Sequence, residues 1–452
     1  MKKHGNINTI VFDKFHDLVM DARLYGSLES YSERMAYYLS EQNTGSISSD
    51  DRLRIELGLL WIQMVRGTFY SETHIDWNDL ESRIGSNDTL LRIEYDIINA
   101  VYNLLLHNEY VAAQSTLEKA ISTLKDSAYN FLYGIAARAL CNVYIMTGNT
   151  EPAEAYALDS ISIFRRFDNN LLLASSLNSY AVLKKNCCHY DEAERLLVQA
   201  MEIFRSIEAP DGEFLCINNL AVIKMKTGDW QRSELYFERL QVLESKLKIT
   251  SNNLLIYKVN MAHLHLLRRD FIQAEAELLQ LAEESCKSKA LKQKALAHEF
   301  LGELYLEQGE NQKARFHLEK ALSIAEEIAP SSDLMTEILR RFAQLYFCEG
   351  NLDVSATMAK ECIRLCRCIR DRHELGAAMR ILGDIHSRND LPKKARSCYE
   401  YSAAILESLH ECYELMRTHI ALGALHPQAS SDKTNSYLLE AKNLAVQMGL
   451  PY

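Results

Sequence analysis

The sequence contains little of the two residues that interrupt helices. Six prolines and 17 glycines occur among 452 residues. Proline cannot donate the backbone hydrogen bond of a helix interior, and glycine destabilises a helix through its backbone freedom. Long helices joined by short turns need few of either residue, so this scarcity favours an all-α fold.

Long apolar runs are also missing. No stretch approaches the roughly 18 apolar residues of a membrane-spanning helix. The apolar patch that follows Lys2 and Lys3 covers only residues 9–12, whereas a secretory signal peptide carries about 7–15 apolar residues there. The 11 cysteines are odd in number and scattered along the chain, which does not indicate a disulfide framework. These absences predict a cytoplasmic protein without a membrane partner.

Basic residues are in deficit, and the common catalytic motifs are absent. The 50 basic and 61 acidic residues give a formal net charge of −11, and an acidic surface repels phosphate backbones.

The chain lacks G-x-G-x-x-G, G-x4-G-K-[ST], H-E-x-x-H and G-x-S-x-G, which mark nucleotide, zinc and hydrolase sites. We therefore expect no direct nucleic-acid partner, no cofactor and no enzyme activity. Helix-turn-helix and kinase motifs are also absent, so any output domain is expected either on another chain or in a part of the protein that has been removed.

Two series of small residues recur with a period of 40 or 41 residues. The first series consists of Cys141, Ala181, Ala221, Ala262, Gly302, Ala343, Gly383 and Gly423. The second series follows 12 residues later, from Ala153 to Ala395, and Ala113 stands one period before it. A fixed phase over so many periods indicates a repeat architecture.

A short turn separates the two small residues of each unit. Residues 147–149 read Thr-Gly-Asn, and residues 227–230 read Thr-Gly-Asp-Trp. Glycine or asparagine after a helix accepts the left-handed conformation of the C-cap, and a following Asn or Asp can cap the next helix. Each unit is therefore predicted to be helix A, a tight turn and helix B. One such hairpin cannot bury its apolar face alone, so neighbouring units are expected to stack.

Two motifs show which family this repeat resembles. Residues 220–237 read L-A-V-I-x3-T-G-D-W-x2-S-x3-F, and residues 301–321 read L-G-E-L-Y-x3-G-x4-A-x6-A. Both resemble the tetratricopeptide repeat, which is usually about 34 residues long. The longer period here is similar to the repeats of MalT-type bacterial sensor domains and of the peptide-sensing regulators of Gram-positive bacteria. The resemblance implies a right-handed superhelical solenoid of about eight to nine helix-turn-helix repeats.

The repeat pattern divides the chain into two predicted regions. Residues 1–89 form an N-terminal helical cap with a degenerate repeat, because terminal repeats are atypical. Helices are expected there near residues 7–24, 27–42, 51–67 and 76–86. Residues 90–452 form the tetratricopeptide-like solenoid, and its last B helix is expected over 431–449.

Several potential metal ligands have a simpler interpretation. Cys362 and Cys366 share a helix face, but a tetrahedral metal site needs about four ligands, and cysteine is also a good core residue. Core packing is favoured for this pair, and a turn is favoured for the Cys-Cys-His segment 187–189. His263 and His265 lie on different helix faces, so a shared metal is not expected.

The candidate binding residues are polar side chains of the A helices, which line the concave surface in the resembling repeats. Most fall three residues before or one residue after the small position, so the two sets share a helix face. They are Arg138, Asn142, Asn178, Asn218, Asn219 and Asn260. Asparagine offers a donor and an acceptor to an extended peptide backbone. The resemblance implies that Arg138 with Asn142 binds a C-terminal carboxylate.

A second group of A-helix residues is charged. Its members are Glu299, Glu303, Arg340, Arg341, Arg380 and Asp384. This group either contacts a second part of a ligand or forms an internal salt-bridge network. A concave surface is solvated and polar in either case, so the sequence leaves both interpretations open.

Three classes of function are compatible with these observations. The favoured class is a non-enzymatic interaction module for regulation or signalling, such as transcription regulation, which binds a partner protein, a peptide or a small effector. The second is a constitutive scaffold for a multi-protein assembly. An enzyme with a phosphatase-like activity is the least favoured.

Overall fold

The predicted all-α class is confirmed by the helices of the chain. The computed structural model describes residues 52–53, 56–58, 60, 64, 75–84, 89–107, 110–125, 130–167, 169–246, 251–288, 290–425 and 432–451. Every regular element within these residues is an α-helix. None of these helices is both long and apolar enough to cross a membrane. The helices expected over 7–24 and 27–42 lie outside the described residues.

The helices follow one another with the predicted period. They are α1 (Trp77–Ser82), α2 (Thr89–His107), α3 (Tyr110–Leu124), α4 (Asn130–Met146), α5 (Thr150–Arg166), α6 (Asn170–Asn186), α7 (Tyr190–Ser206), α8 (Pro210–Lys226), α9 (Trp230–Lys246), α10 (Ser251–Leu267), α11 (Phe271–Lys287), α12 (Leu291–Glu307), α13 (Asn311–Ile328), α14 (Asp333–Cys348), α15 (Leu352–Ile369), α16 (Arg372–Arg388), α17 (Pro392–Ser408), α18 (Cys412–Ala424) and α19 (Asp432–Met448). From α2 onward the even-numbered helices are A helices and the odd-numbered ones are B helices. The described chain therefore contains nine A–B pairs, as the repeat predicts.

The chain forms two compact units. One unit comprises Met1–Val143, Glu151–Tyr180 and Val198–Glu213, and the other comprises Tyr144–Thr150, Ala181–Leu197 and Phe214–Tyr452. Buried residues of the first unit cluster around α1 and α2, namely Leu53, Leu57, Leu80, Leu91 and Tyr95. The predicted boundary at residue 89 stays a prediction, since most of the expected cap lies outside the described residues.

Small residues allow helix A and helix B of one repeat to approach closely. A Cβ atom added to Gly302 would lie 2.5 Å from Leu318 of the paired B helix. A Cβ atom at Gly383 would overlap the ring of Tyr399 in the same way. The residues of the first small-residue series therefore lie where the two helices of each pair contact each other.

Serine replaces alanine in the second series without loss of packing, because its hydroxyl finds a partner. Ser233 Oγ donates to the carbonyl oxygen of Ala221 at 2.9 Å. Ser355 Oγ donates to the carbonyl oxygen of Ala343 at 2.7 Å. Both serines are fully buried, and a buried hydroxyl needs such a partner. The two small-residue series thus contact each other directly.

The predicted tight turns carry a left-handed residue after helix A. Glycine supplies it at four turns, with φ between 75° and 80° at Gly148, Gly228, Gly309 and Gly350. Cys188, Arg269 and Asp390 adopt the same conformation, with φ of 61°, 66° and 54°. A left-handed conformation costs a residue other than glycine roughly 1–2 kcal/mol. The turn geometry is therefore a property of the repeat and does not depend on glycine at each position.

In the second unit, A helices form the inner layer. Each A helix from α10 to α16 packs against the next A helix, and successive B helices make fewer contacts. This arrangement curves the stack toward the A helices, as expected for the resembling repeats.

The second unit also packs against itself across long sequence separations. Cys188 Sγ accepts a hydrogen bond from the His373 backbone nitrogen at 3.3 Å, 185 residues away. Cys412 Sγ lies 3.2 Å from the Thr227 carbonyl oxygen, also 185 residues away. A Cβ atom at Gly228 would overlap Cys412. Turns between A and B helices therefore contact the first residues of later A helices, and we call these the cross-turn contacts.

Candidate binding surface on the A helices

Arg138 lies within α4, in the first unit. Its side chain is partly buried, and its Nε atom is enclosed without a hydrogen-bond partner in the described structure. Burial lowers the pKa of Arg138, opposed only by the Cys141 thiol among the described groups. Removing a guanidinium from water without a carboxylate is unfavourable. Arg138 is therefore a candidate to receive an anionic group.

The other predicted residues of the first unit lie on α4 and α6. Asn142 follows Arg138 by one helical turn and is exposed to solvent. Residues four apart are neighbours on a helix face, so both side chains belong to the same face of α4. Asn178 is half-buried and has a partner within the protein. The exposed amide of Asn142 is thus the one that a ligand reaches without rearrangement.

The remaining asparagines belong to the second unit. Asn260 Nδ2 donates to Asn218 Oδ1 at 3.2 Å. Asn218 is 2% exposed and Asn219 is 9% exposed. The Asn218 carbonyl is therefore already used within the protein, and this pair joins α8 to α10.

Arg341 of α14 forms the first half of a buried ion-pair network in the second unit. Its Nε donates to Glu299 Oε1 at 3.0 Å, and its second nitrogen makes a short contact with Glu303 Oε2. Both carboxylates belong to α12. All three side chains are at most 4% exposed, so the charges meet in the interior.

Arg340 and Arg380 form the second half of this network. Arg340 Nε makes a short contact with Glu374, and its Nη1 lies 3.7 Å from Glu414 Oε1. Arg380 Nη2 lies 3.0 Å from Glu414 Oε2, and its Nη1 donates to Asp384 Oδ2 at 3.0 Å. The charged group of the sequence thus forms an internal salt-bridge network, which was one of its two interpretations. A role for it in ligand binding stays a prediction.

Buried carboxyl groups of the network, and Glu337 beside it, have opposite pKa shifts. Burial favours a higher pKa for Glu303, but Arg341 and His263 outweigh it and lower that pKa to about 2. Burial raises the pKa of Glu299 to about 7, although Arg341 opposes the shift. Burial also raises the pKa of Glu337 to about 8, against the opposing charge of Lys226. Glu303 therefore stays ionised near neutral pH, while Glu337 holds a proton.

A small cavity of about 50 Å³ lies beside the network. Its lining includes Lys226, His263, Glu299 and Arg341. A volume of this size admits a few water molecules and lies far below the roughly 300 Å³ of a small-ligand pocket. The interior of the network is therefore too small for a peptide.

The cysteine and histidine clusters have separate structural roles. Cys362 Sγ lies 3.3 Å from the Thr336 carbonyl oxygen and 3.8 Å from Cys366 Sγ, and both cysteines are buried. His263 stacks on Phe300 with ring centroids 3.9 Å apart. Within the described part of the chain, no three His, Cys, Asp or Glu side chains are grouped to hold a metal ion. Core packing of the Cys362–Cys366 pair, the favoured interpretation, is confirmed.

The helix pairs around the network match a known family. Residues 293–367, which run from α12 into α15, match the tetratricopeptide repeat. The matched segment contains Glu299, Glu303, Arg340 and Arg341, so half of the network lies in helices that match this repeat.

Several solved structures align with most of this chain at low sequence identity. The Rap protein complexed with competence and sporulation factor is 15% identical, with coverage of 89% of this chain and 98% of that chain and a TM-score of 0.41. NprR in complex with its cognate peptide NprX is 13% identical, with coverage of 87% and 99% and a TM-score of 0.45. The human IFIT1 dimer with PPP-AAAA is 14% identical, with coverage of 95% and 95% and a TM-score of 0.46. No curated protein matches the chain.

Two network residues fall outside both the matched segment and the repeat positions predicted from the sequence. Glu374 and Glu414 are the partners of Arg340 and Arg380, each 34 residues later in the chain. The two pairs are themselves one period of 40 residues apart. A search for opposite charges that recur at a 34-residue offset finds both carboxylates. Lys226 carries no such periodic signal.

Proposed function

We propose that this protein is a non-enzymatic tetratricopeptide interaction module that binds the acidic end group of a peptide at Arg138. The supporting observation is that Arg138 is partly buried and has no carboxylate partner in the described structure. Arg340, Arg341 and Arg380 of the same chain each contact carboxylates. Arg138 therefore keeps its capacity to bind an anion.

The chemistry of α4 suits a peptide terminus. A guanidinium donates two parallel hydrogen bonds to a carboxylate, so Arg138 would bind the terminal group. The Asn142 amide, one turn further on, offers a donor and an acceptor to the preceding peptide bond. The resemblance of the long repeat to peptide-sensing regulators favours a peptide over other anions. We therefore place the protein in regulation or signalling.

A peptide library tests the proposed terminus directly. The protein is immobilised and exposed to a mixed library of short peptides with free C-terminal carboxylates, and retained peptides are identified by mass spectrometry. We expect amidation of the retained peptides, or Arg138→Gln, to weaken binding at least about tenfold, since a charge-assisted bidentate pair contributes more than 1.4 kcal/mol. Arg364→Gln is the matched control, because Arg364 is exposed and pairs with Glu361 on its own helix. Equal retention by the wild type and Arg138→Gln contradicts the proposal.

A scaffold is the alternative function, and a pull-down separates it from a sensor. A scaffold retains the same protein partner whether or not a peptide is present. A sensor exchanges partners, or changes its affinity for one, when the retained peptide is added. The comparison uses the full chain and extract from its native host, with Arg138→Gln as the peptide-insensitive variant.

A further inference from the structure

A polar cleft of about 380 Å³ lies in the second unit, where cross-turn contacts meet. Small-molecule sites in proteins usually have volumes of about 300–1,000 Å³. One wall comes from the turn at residues 187–189 and the first two turns of α7, and the other from Arg372 and the turn at residues 408–410. The cleft is thus large enough for a small ligand, unlike the cavity inside the ionic network.

Two guanidinium groups in the cleft have no carboxylate partner. Arg195 Nε donates to the backbone carbonyl oxygen of Asp191 at 3.4 Å. Arg372 Nη2 donates to Ser408 Oγ at 2.8 Å. Neither arginine forms an ion pair with any described residue, whereas Glu192 of the same lining is paired with Lys184 at 3.2 Å. The guanidinium charges therefore remain available to an anion.

A buried hydroxyl supplies a second and independent observation. Tyr190 lines the cleft and is 6% exposed. Its hydroxyl has no oxygen or nitrogen partner within the described residues and interacts there with the Cys188 thiol. A thiol sulfur is a weak acceptor, so a ligand oxygen that accepts the hydrogen bond of this hydroxyl would be favoured. His189 and His410 add two further polar side chains to the lining.

We propose that this cleft is a binding site for a small anion that carries a carboxylate or a phosphate group. Arg195 and Arg372 hold the anionic oxygens, and the Tyr190 hydroxyl donates to one of them. The two walls belong to segments far apart in the chain that meet through the cross-turn contacts. A bound anion therefore joins these segments and stabilises the second unit, because a ligand that binds only the folded state raises its stability. The site is independent of the proposed peptide site at Arg138.

Inorganic phosphate and citrate are the two probes. Each is titrated into the full chain at constant ionic strength, balanced with sodium chloride, and binding is measured by calorimetry and by the rise in melting temperature. We expect saturable binding of one or both probes to the wild type. Binding of phosphate alone assigns the phosphate class, and binding of citrate alone assigns the carboxylate class. If neither probe exceeds the effect of chloride, the proposal is overturned.

Variants locate the bound anion. The double variant Arg195→Gln and Arg372→Gln should weaken binding at least about tenfold, while Arg396→Gln, whose guanidinium faces Glu400 of its own helix, should not change it. Tyr190→Phe removes only a hydroxyl whose neighbour within the described residues is the weakly accepting Cys188 thiol, so it should fold normally and weaken anion binding several-fold. Unchanged anion affinity in Tyr190→Phe and in the double variant excludes this cleft. Arg138→Gln should leave anion affinity unchanged, which keeps the two proposals separable.

Discussion

Two A helices carry an arginine at the same repeat position with different surroundings. Arg138 and Arg340 both stand three residues before the small residue of helix A. Arg340 contacts Glu374, 34 residues later, but the position 34 residues after Arg138 is Leu172, which is 2% exposed. One apolar side chain thus replaces the expected counter-ion. The repeat therefore sets where an arginine lies, while the next repeat decides whether its charge is satisfied internally.

The largest expected effect separates a structural arginine from a ligand-binding one. Arg341→Met leaves Glu299 and Glu303 buried without their partner, and breaking such a pair costs about 3–5 kcal/mol. Arg138→Met removes a charge on which no described carboxylate depends, so we expect a change within about 1 kcal/mol. Urea unfolding followed by circular dichroism measures both. Equal destabilisation by the two variants would contradict the distinction between a structural Arg341 and a ligand-binding Arg138.

A designed counter-ion tests whether Leu172 explains the difference. Leu172→Glu places a carboxyl group in the interior and should destabilise the protein, but less so when Arg138 can pair with it. We expect the double-mutant cycle of Leu172→Glu with Arg138→Met to give a coupling free energy of about 1–3 kcal/mol. A coupling near zero would show that the two positions do not meet as Arg340 and Glu374 do.

A pair of glycines tests how far the second unit depends on its cross-turn contacts. Gly228 and Gly309 have nearly the same φ, 75° and 76°, but only Gly228 faces another segment closely, at Cys412. Gly309→Ala should cost about 1 kcal/mol from the left-handed backbone alone. Gly228→Ala should cost about 1–3 kcal/mol more because of overpacking. Similar melting temperatures for the two variants would contradict a tight cross-turn contact.

The pH dependence of the free energy of unfolding should show that the Glu337 carboxyl group remains protonated in the folded chain. Burial raises the pKa of Glu337 from its ordinary 4.5 to about 8. Between these values the unfolded chain has lost the proton while the folded chain retains it, so rising pH favours unfolding. The stability of the wild type relative to Glu337→Gln should therefore fall from pH 4.5 to pH 8. Glu361→Gln, at an exposed site, should show no such trend in that window.

Helix positions are the part of the structure that the sequence predicts well. The small residues and turn residues act between neighbours in the chain, so their 40-residue period places A and B helices directly. The ladder of asparagines is predicted less well. Asn218 and Asn260 bond to each other, and an amide that faces solvent cannot be told from one that faces another helix by spacing alone.

The ionic network shows which contacts a repeat pattern conveys. Glu374 and Glu414 each lie 34 residues after the arginine that they contact, so the sequence can predict both. Lys226, 4.0 Å from Glu337, comes from a helix more than 100 residues earlier. Its position depends on which repeats far apart in the chain come into contact. That contact depends on the small rotations between successive repeats, added over several helix pairs. No single motif predicts this accumulated rotation.

The cross-turn contacts limit how this protein can evolve in length. Repeat proteins commonly gain or lose whole units by duplication or deletion, since each repeat contacts only its neighbours. Here one extra unit between residues 230 and 370 would preserve every neighbouring contact but shift the partners of Cys188 and Thr227 by a full period. Lineages of this protein should therefore tolerate added repeats at the ends of the stack more readily than within this segment.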